Sequence, residues 1–202
     1  MSYQDKISFL EKKFLDTVFV KDAAKGYVVV EPFNLAIDPD ILQFASSAWA
    51  EHYHQQTNID AIVGLPDAGS RLVSVLAGML RVRKVLPSKR ITVPPGAWRD
   101  VVSFSNASFT SEKDEVVSQI GFVKAGERVL LVDDVVAHGS TAVAAIKALQ
   151  AAGVEVIGLA VLFDKAWQGG VERIKKETGV EVFSLVTIKE ISPEGQITLD
   201  ND

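Results

Sequence analysis

The sequence predicts an α/β protein built on a mostly parallel central sheet with helices on both faces. Helical and strand patterns alternate along the chain, and this order produces parallel strands joined by crossover helices. Two short, β-branched apolar segments, 61–65 and 129–132, indicate strands that are buried on both sides. With 202 residues, 48% of them hydrophobic, the chain can bury one sizeable core, so we expect a single domain over 1–202.

The other elements follow from local patterns. Four apolar residues recur at helical spacing near the start and predict an amphipathic N-terminal helix that packs on the body or on a partner subunit: Ile7, Leu10, Phe14 and Val18. Asp38 and Pro39 predict the start of a helix over 39–54. The remaining predicted elements are strands at 27–30, near 116, at 154–163 and at 180–186, and helices at 70–80, at 142–151 and after Gly170.

Composition and charge exclude several classes of function. The net charge of -5 argues against a nucleic-acid partner, because phosphate backbones require clustered Lys and Arg. The absence of cysteine excludes disulfides, thiolate metal sites and a Cys nucleophile. Residues 1–15 are charged and amphipathic, unlike a signal peptide, and no apolar run approaches about 20 residues, so we expect a cytoplasmic protein without membrane contact. His52 and His54 would face apart on a helix, so no protein metal site is predicted.

The segment 129–141 carries the main functional signal. A buried strand leads directly into Asp133 and Asp134, at the edge where open α/β sheets bind ligands. Two adjacent carboxylates are costly there unless hydroxyls, a metal or cations engage them, and a vicinal diol would serve. The small residues of 137–141 then open a helix whose unpaired amides would hold a phosphate. Taken alone, Gly139-Ser140 could equally be an ordinary turn with Ser140 as the helix cap.

This segment resembles the phosphoribosyl-diphosphate signature of the type I phosphoribosyltransferase family: four apolar residues, two acids, two apolar residues and a small loop. The resemblance implies the type I phosphoribosyltransferase fold, with Asp133 and Asp134 on the ribose hydroxyls. It also implies that one loop wraps the 5-phosphate, namely Ala137, His138, Gly139, Ser140 and Thr141. His138 departs from the pattern, since relatives usually carry Thr or Asn there.

A second strand, turn and helix, 64–71, supplies another candidate anion loop. In the family the equivalent loop receives the pyrophosphate, so the resemblance gives this role to Asp67, Ala68 and Gly69. Purine enzymes usually show an acid followed by Ser or Ala where this chain has Pro66 and Asp67. The match is therefore looser here than in the first loop.

The span 87–110 is too long and irregular for a silent connection, and long loops of this kind are often lids. The family carries a mobile loop here that closes over the diphosphate and excludes water. Lys89 aligns with the lysine that relatives use on the pyrophosphate, whereas Ser88 replaces the usual preceding arginine. Arg90 or Arg99 could replace that cation, or could be solvated surface charges.

Within the family, the chain resembles the bacterial xanthine phosphoribosyltransferases from about Tyr27 to Leu199. The matching segments are 34–39, Asn-Leu-Ala-Ile-Asp-Pro, and 164–168, Asp-Lys-Ala-Trp-Gln. The resemblance gives base binding to three residues: Asn34 at the purine edge, Lys165 at an exocyclic oxygen and Trp167 stacked on the ring. Alternatively, Asn34 is a turn residue and Trp167 packs at a helix edge. Thr110 stands where adenine enzymes place an acid, which argues against adenine.

The resemblance implies transfer of a 5-phosphoribosyl group from phosphoribosyl diphosphate to an oxo-purine such as xanthine, with release of pyrophosphate, in purine salvage. It assigns the reacting centre to Asp133, Asp134 and Lys89, and Mg²⁺ to the diphosphate. A hood from about 1–38 and 164–202 and a homodimer are also implied. Two alternatives remain open: a non-catalytic sensor of phosphoribosyl diphosphate or a nucleotide, and an orotate or adenine phosphoribosyltransferase.

Overall fold

The computed structural model describes residues 1–36, 38–56, 58–66, 68–89, 97–107 and 115–200. Within these ranges the side chains of 34, 106, 107, 115 and 116 are not described. The five α-helices are α1 (Tyr3–Thr17), α2 (Pro39–Tyr53), α3 (Gly69–Leu80), α4 (Ser140–Ala151) and α5 (Gly170–Thr178). A π-helical turn (Glu31–Leu35) and a 3₁₀ turn (Ala166–Gln168) complete the helical elements of the described chain.

The strands form one six-stranded sheet and two small antiparallel pairs in the described chain. The large sheet has the order β10-β9-β8-β7-β3-β4, and all of its pairings are parallel except that of β10 with β9. The pairs are β1 with β2 and β5 with β6. The strand bounds are β1 (Phe19–Asp22), β2 (Tyr27–Val29), β3 (Ala61–Gly64), β4 (Val85–Pro87), β5 (Val102–Ala107), β6 (Glu115–Ile120), β7 (Arg128–Val136), β8 (Glu155–Lys165), β9 (Val182–Ile191) and β10 (Ile197–Leu199).

Both faces of the sheet are covered, as the sequence predicts. The alternation of β7 shows this directly: Leu130 and Val132 join a core with α1, α2 and α3 on one face. Val129 and Leu131 join a second core with α4, α5 and the β5–β6 pair on the other. Successive strand residues point to opposite faces, so a continuous apolar run is required where both faces are buried. The predicted α/β fold class is therefore confirmed.

The N-terminal helix packs on the body of its own subunit. Leu10 and Phe14 are fully buried, and the ring of Phe14 lies 6.2 Å from that of Phe33 and 5.1 Å from that of Phe163. Ser2 begins the helix through a capping box with Asp5. The apolar stripe of α1 is thus used internally, and it gives no independent reason for a dimer.

Three features differ from the sequence predictions. Strand β7 continues through Asp133 and Asp134 to Val136 because it pairs with β8 as far as Asp164. The span 87–110 is more regular than predicted, since its described part contains β5, which pairs with β6 over six residues. The rest of that span, 90–96 and 108–110, lies outside the described residues. The short strands β1, β4 and β10 carry too little pattern to be predicted from sequence.

Among the described residues, no helix combines the length and apolar character that spanning a membrane requires.

Candidate functional site

The acidic pair lies at the carboxyl end of the central strand. Asp133 is 7% exposed and Asp134 is half-buried. The backbone N–H of Asp134 donates to Oδ1 of Asp133 at 3.0 Å. Asp134 is close enough to Lys165 for its charge to raise the pKa of that lysine, opposing the effect of burial. The structure therefore brings Asp134 together with one predicted base-binding residue.

The predicted 5-phosphate loop, 137–141, joins β7 to α4. Gly139 occupies the N-cap position of α4 with φ of +74°, so Ser140 is the first helical residue and the capping role considered for it is wrong. A left-handed backbone at this position favours glycine. Gly139 also approaches α5, because a Cβ built there would lie 2.9 Å from the carbonyl oxygen of Gly170. A Cβ on Gly170 would in turn collide with the carbonyl of Ala137.

Arg173 of α5 contacts the same loop, a contact that the sequence does not predict. Its Nη1 donates to the carbonyl of His138 and to Oγ of Ser140, both at 3.2 Å. These partners lie 35 and 33 positions earlier in the chain. Nothing in the local sequence signals the contact, because it depends on the packing of α5 against α4.

The second predicted loop lies directly beside the acidic pair. Gly69 begins α3, and a Cβ built on it would stand 3.1 Å from Oδ1 of Asp133 and collide with the carbonyl of Val132. Ala68, at the N-cap position, is buried. Asp67, the third residue predicted for the pyrophosphate, lies outside the described residues. The start of α3 therefore lies against Val132 and Asp133 of β7.

Lys89 follows β4, next to the second loop. Its backbone exchanges two hydrogen bonds of 2.9 Å with Gln119, and its Nζ stands 5.3 Å from the ring centroid of Trp98. A cation at that distance from an indole face is attracted to it. Ser88, at the position of the usual family arginine, is buried, and its Oγ has no hydrogen-bond partner among the described residues. Of the two replacements considered, Arg99 is exposed and Arg90 lies outside the described residues.

Lys165 lies at the end of β8 and is 6% exposed. Its Nζ donates to the carbonyl of Gly26 at 2.9 Å, and burial lowers its pKa. Trp167 is 40% exposed, and Gly26 approaches it closely, since a Cβ on Gly26 would lie 2.8 Å from Cζ2 of the indole. The turn between β1 and β2 thus covers two predicted base-binding residues. The third, Asn34, has its backbone in the π-helical turn, and its side chain, like Thr110, is outside the described structure.

Asp164 is the unexpected ionisable group near this site. It is 7% exposed, and its Oδ1 has no hydrogen-bond partner among the described residues. Burial, with a smaller contribution from the charge of Glu172, raises its pKa to about 6. In the sequence Asp164 stands within the matching segment 164–168, which predicts no separate role for it.

A mostly parallel sheet whose central strand β7 carries two acids near its carboxyl end, beside two strand-to-helix loops with glycines, is typical of α/β proteins that bind phosphorylated sugars or nucleotides. The family can be stated more closely. The model of the phosphoribosyl transferase domain matches residues 35–191, and the chain belongs to this family. The sequence prediction of a phosphoribosyltransferase is therefore confirmed.

Individual relatives show how similar the chain is to known members. It is 30% identical to a xanthine phosphoribosyltransferase of Leuconostoc mesenteroides over 185 residues, covering 88% of this chain and 94% of that protein. It is 34% identical to an adenine phosphoribosyltransferase of Maricaulis maris over 154 residues, covering 76% and 79%. The structure of adenine phosphoribosyltransferase from Trypanosoma brucei, in complex with AMP, pyrophosphate and ribose-5-phosphate, matches the fold with a TM-score of 0.72 at 19% identity, covering 92% and 82%.

Proposed function

We propose that this protein transfers the 5-phosphoribosyl group of phosphoribosyl diphosphate to an oxo-purine, with xanthine as the first candidate base. The observation that carries the choice of base is the buried ammonium of Lys165, which is near Asp134 and already donates to a carbonyl oxygen. An exocyclic purine oxygen presents the same kind of acceptor, and adenine has none. The xanthine enzymes among the relatives support this choice.

Adenine is the second candidate base, because a relative of similar identity is an adenine phosphoribosyltransferase. Membership of the phosphoribosyl transferase domain family favours an enzyme over a binding-only sensor. We place the reaction in the cytoplasm and expect a homodimer, both from the resemblance to the family.

In the proposed reaction a purine nitrogen attacks C1 of the ribose, the C1–oxygen bond to the diphosphate breaks, and pyrophosphate leaves with its electron pair. The purine loses one N–H proton to water. Asp133 and Asp134 hold the ribose hydroxyls, and the loop at 137–141 holds the 5-phosphate. Ala68, Gly69 and Lys89 contact the pyrophosphate, together with Asp67. Positioning and charge stabilisation at the leaving group provide most of the rate enhancement, so side-chain acid–base chemistry is secondary.

Mg²⁺ fits this site through oxygen ligands. The carboxylates of Asp133 and Asp134 are hard oxygen donors of the type that Mg²⁺ accepts. When bound, the ion neutralises charge on the diphosphate and on the departing pyrophosphate. We propose that the substrate supplies most of its ligands.

The test is pyrophosphate release from phosphoribosyl diphosphate and Mg²⁺ with xanthine, guanine, hypoxanthine, adenine and orotate assayed separately. We expect turnover with an oxo-purine, and a rise of KM for that base of about tenfold or more in Lys165→Met, since a hydrogen bond from a charged donor is lost. Lys189→Met removes an exposed lysine of β9 and serves as the control. Turnover with adenine alone, or an unchanged KM in Lys165→Met, would contradict the proposed base.

A further inference from the structure

Arg173 connects helix α5 to the loop at 137–141, although the proposed reaction gives α5 no part. The guanidinium carries two donor roles at once: Nη1 serves the carbonyl of His138 and the hydroxyl of Ser140, while Nε serves Oε1 of Glu177 at 2.8 Å. Because both Nη1 and Nε are hydrogen-bonded, the orientation of the planar guanidinium is fixed. Arg173 is 45% exposed, so its charge remains partly hydrated while its direction is set.

The hydrogen bond to Ser140 has a chemical consequence. A hydroxyl oxygen that accepts from a guanidinium must direct its own proton elsewhere, because arginine has no acceptor. The Ser140 proton is then available to an oxygen of the 5-phosphate. The bond to His138 fixes the loop carbonyl in the same way, and a carbonyl held by arginine turns less readily towards a phosphate, which it would repel.

The packing of α5 and the hydrogen bonds of Glu177 determine where Arg173 lies. The start of α5 packs directly against the loop at 137–141, since Gly139 and Gly170 lie too close together for either to carry a side chain. Glu177 receives a second hydrogen bond from Lys147 of α4. These two cationic donors lower the pKa of Glu177 to about 2, so the acid that holds Arg173 stays ionised at neutral pH.

We propose that Arg173 is a positioning residue for the 5-phosphate of phosphoribosyl diphosphate, which acts by orienting Ser140 and the His138 carbonyl. The inference rests on the proposed function in one respect, the assignment of the loop at 137–141 to the 5-phosphate. It adds a residue, and a way of acting, to that assignment.

The experiment separates the two ends of the substrate. Ribose 5-phosphate and pyrophosphate are titrated calorimetrically and separately into the wild type, Arg173→Met, Arg173→Lys and Lys176→Met. We expect Arg173→Met to weaken ribose 5-phosphate by about five- to tenfold and to leave pyrophosphate unchanged, in line with the loss of charged hydrogen bonds at a partly exposed position. KM for phosphoribosyl diphosphate should rise more than kcat falls. Arg173→Lys should restore part of the affinity, since an ammonium can serve one acceptor.

Lys176→Met is the matched control, because it removes an equal charge from an exposed position of the same helix. An equal loss of ribose 5-phosphate affinity in Lys176→Met would overturn the inference, because the effect would then come from the removal of a positive charge and not from the hydrogen bonds of Arg173. Equal weakening of both ligands in Arg173→Met would also overturn it, since that result indicates a general structural role. Unchanged ribose 5-phosphate binding in Arg173→Met would overturn this inference but not the proposed function. A wild type that neither binds ribose 5-phosphate nor releases pyrophosphate would overturn the proposed function as well.

Discussion

The ammonium of Lys165 donates a 2.9 Å hydrogen bond to the backbone carbonyl of Gly26, which lies 139 positions earlier in the chain. Beside this bond, Nε2 of Gln168 donates to the carbonyl of Lys25 at 3.4 Å. The turn between β1 and β2 is thereby attached to the end of β8 and to the 3₁₀ turn that follows it. A base that accepts from Lys165 must take the place of the Gly26 carbonyl or share the ammonium with it.

The first prediction concerns the glycine of this turn. In Gly26→Ala the new Cβ would meet Cζ2 of Trp167 at 2.8 Å and Nε2 of Gln168 at 2.9 Å, at a φ of +62°. We expect the turn to shift, so that KM for the purine rises several-fold while KM for phosphoribosyl diphosphate stays the same. Steady-state kinetics with each substrate varied in turn measures both values.

Gly126→Ala is the matched control for Gly26→Ala. Gly126 also has a positive φ, +84°, but a Cβ there would meet no atom within 4 Å. Both substitutions therefore carry a similar backbone cost, of about 1 kcal/mol, and only one adds a contact with Trp167. An equal change of KM in both variants would assign the effect to backbone strain and contradict the prediction.

The second prediction concerns the close approach of Gly69, at the start of α3, to Val132 and Asp133 of β7. In Gly69→Ala the new Cβ would collide with the carbonyl of Val132 and crowd Asp133. We expect a loss of about 1–3 kcal/mol in the free energy of unfolding, together with loss of phosphoribosyl-diphosphate binding. Gly78→Ala, in the same helix, meets no atom within 4 Å and should be neutral or more stable by up to about 1 kcal/mol. Denaturant unfolding distinguishes the two, and a Gly69→Ala variant as stable as the wild type would contradict the observed packing.

The third prediction concerns the acidic pair. Asp134→Asn should weaken phosphoribosyl-diphosphate binding by about tenfold or more, because an amide replaces a charged acceptor for the ribose hydroxyls. It should also lower the pKa of Lys165, since the charge of Asp134 supports the protonated lysine. As the pH increases, Lys165 of the variant should lose its proton at a lower pH than in the wild type, and KM for the base should begin to rise at that lower pH. Asp16→Asn, at an exposed position of α1, is the control, and unchanged kinetics in Asp134→Asn would show that the site is misplaced.

The fourth prediction concerns the buried carboxyl of Asp164. Its pKa of about 6 lies above the ordinary value of 3.8, so the folded protein favours the protonated form. Below about pH 4 burial of this carboxyl does not lower the free energy of unfolding, because it is protonated in both states. Between about pH 4 and pH 6 the free energy of unfolding falls, since the unfolded chain ionises first. Above about pH 6 the loss is constant. Two pKa units correspond to about 2–3 kcal/mol.

Asp164→Asn should therefore be more stable than the wild type at pH 8, by up to about 2 kcal/mol, and of equal stability near pH 4. Urea unfolding of both proteins at pH 4, 6 and 8 measures the difference, and comparison at each pH cancels the titration of the other groups. A variant that is less stable than the wild type at pH 8 would mean that the ionised carboxylate makes a favourable contact.

The sequence predictions succeeded where the determining interactions are local. Asp133 and Asp134 follow a run of four apolar residues, and Asp38 begins α2 by accepting from the backbone N–H of Asp40, as a helix cap does. The predictions were weaker where pairing decides the structure. Strand β5 lies in a span predicted to be irregular. It forms because it pairs with β6, whose residues stand 8 to 18 positions further along the chain.

The sequence by itself determined the fold class, the family and the order of the two candidate loops, since apolar periodicity and short motifs act within a few residues. Only the tertiary structure decided which distant groups meet. Gly26 contacts Lys165, Arg173 contacts Ser140, and Oδ1 of the buried Asp164 has no hydrogen-bond partner among the described residues. The physical reason is that burial and long-range hydrogen bonding depend on how complete elements pack against one another, and no local pattern encodes that arrangement.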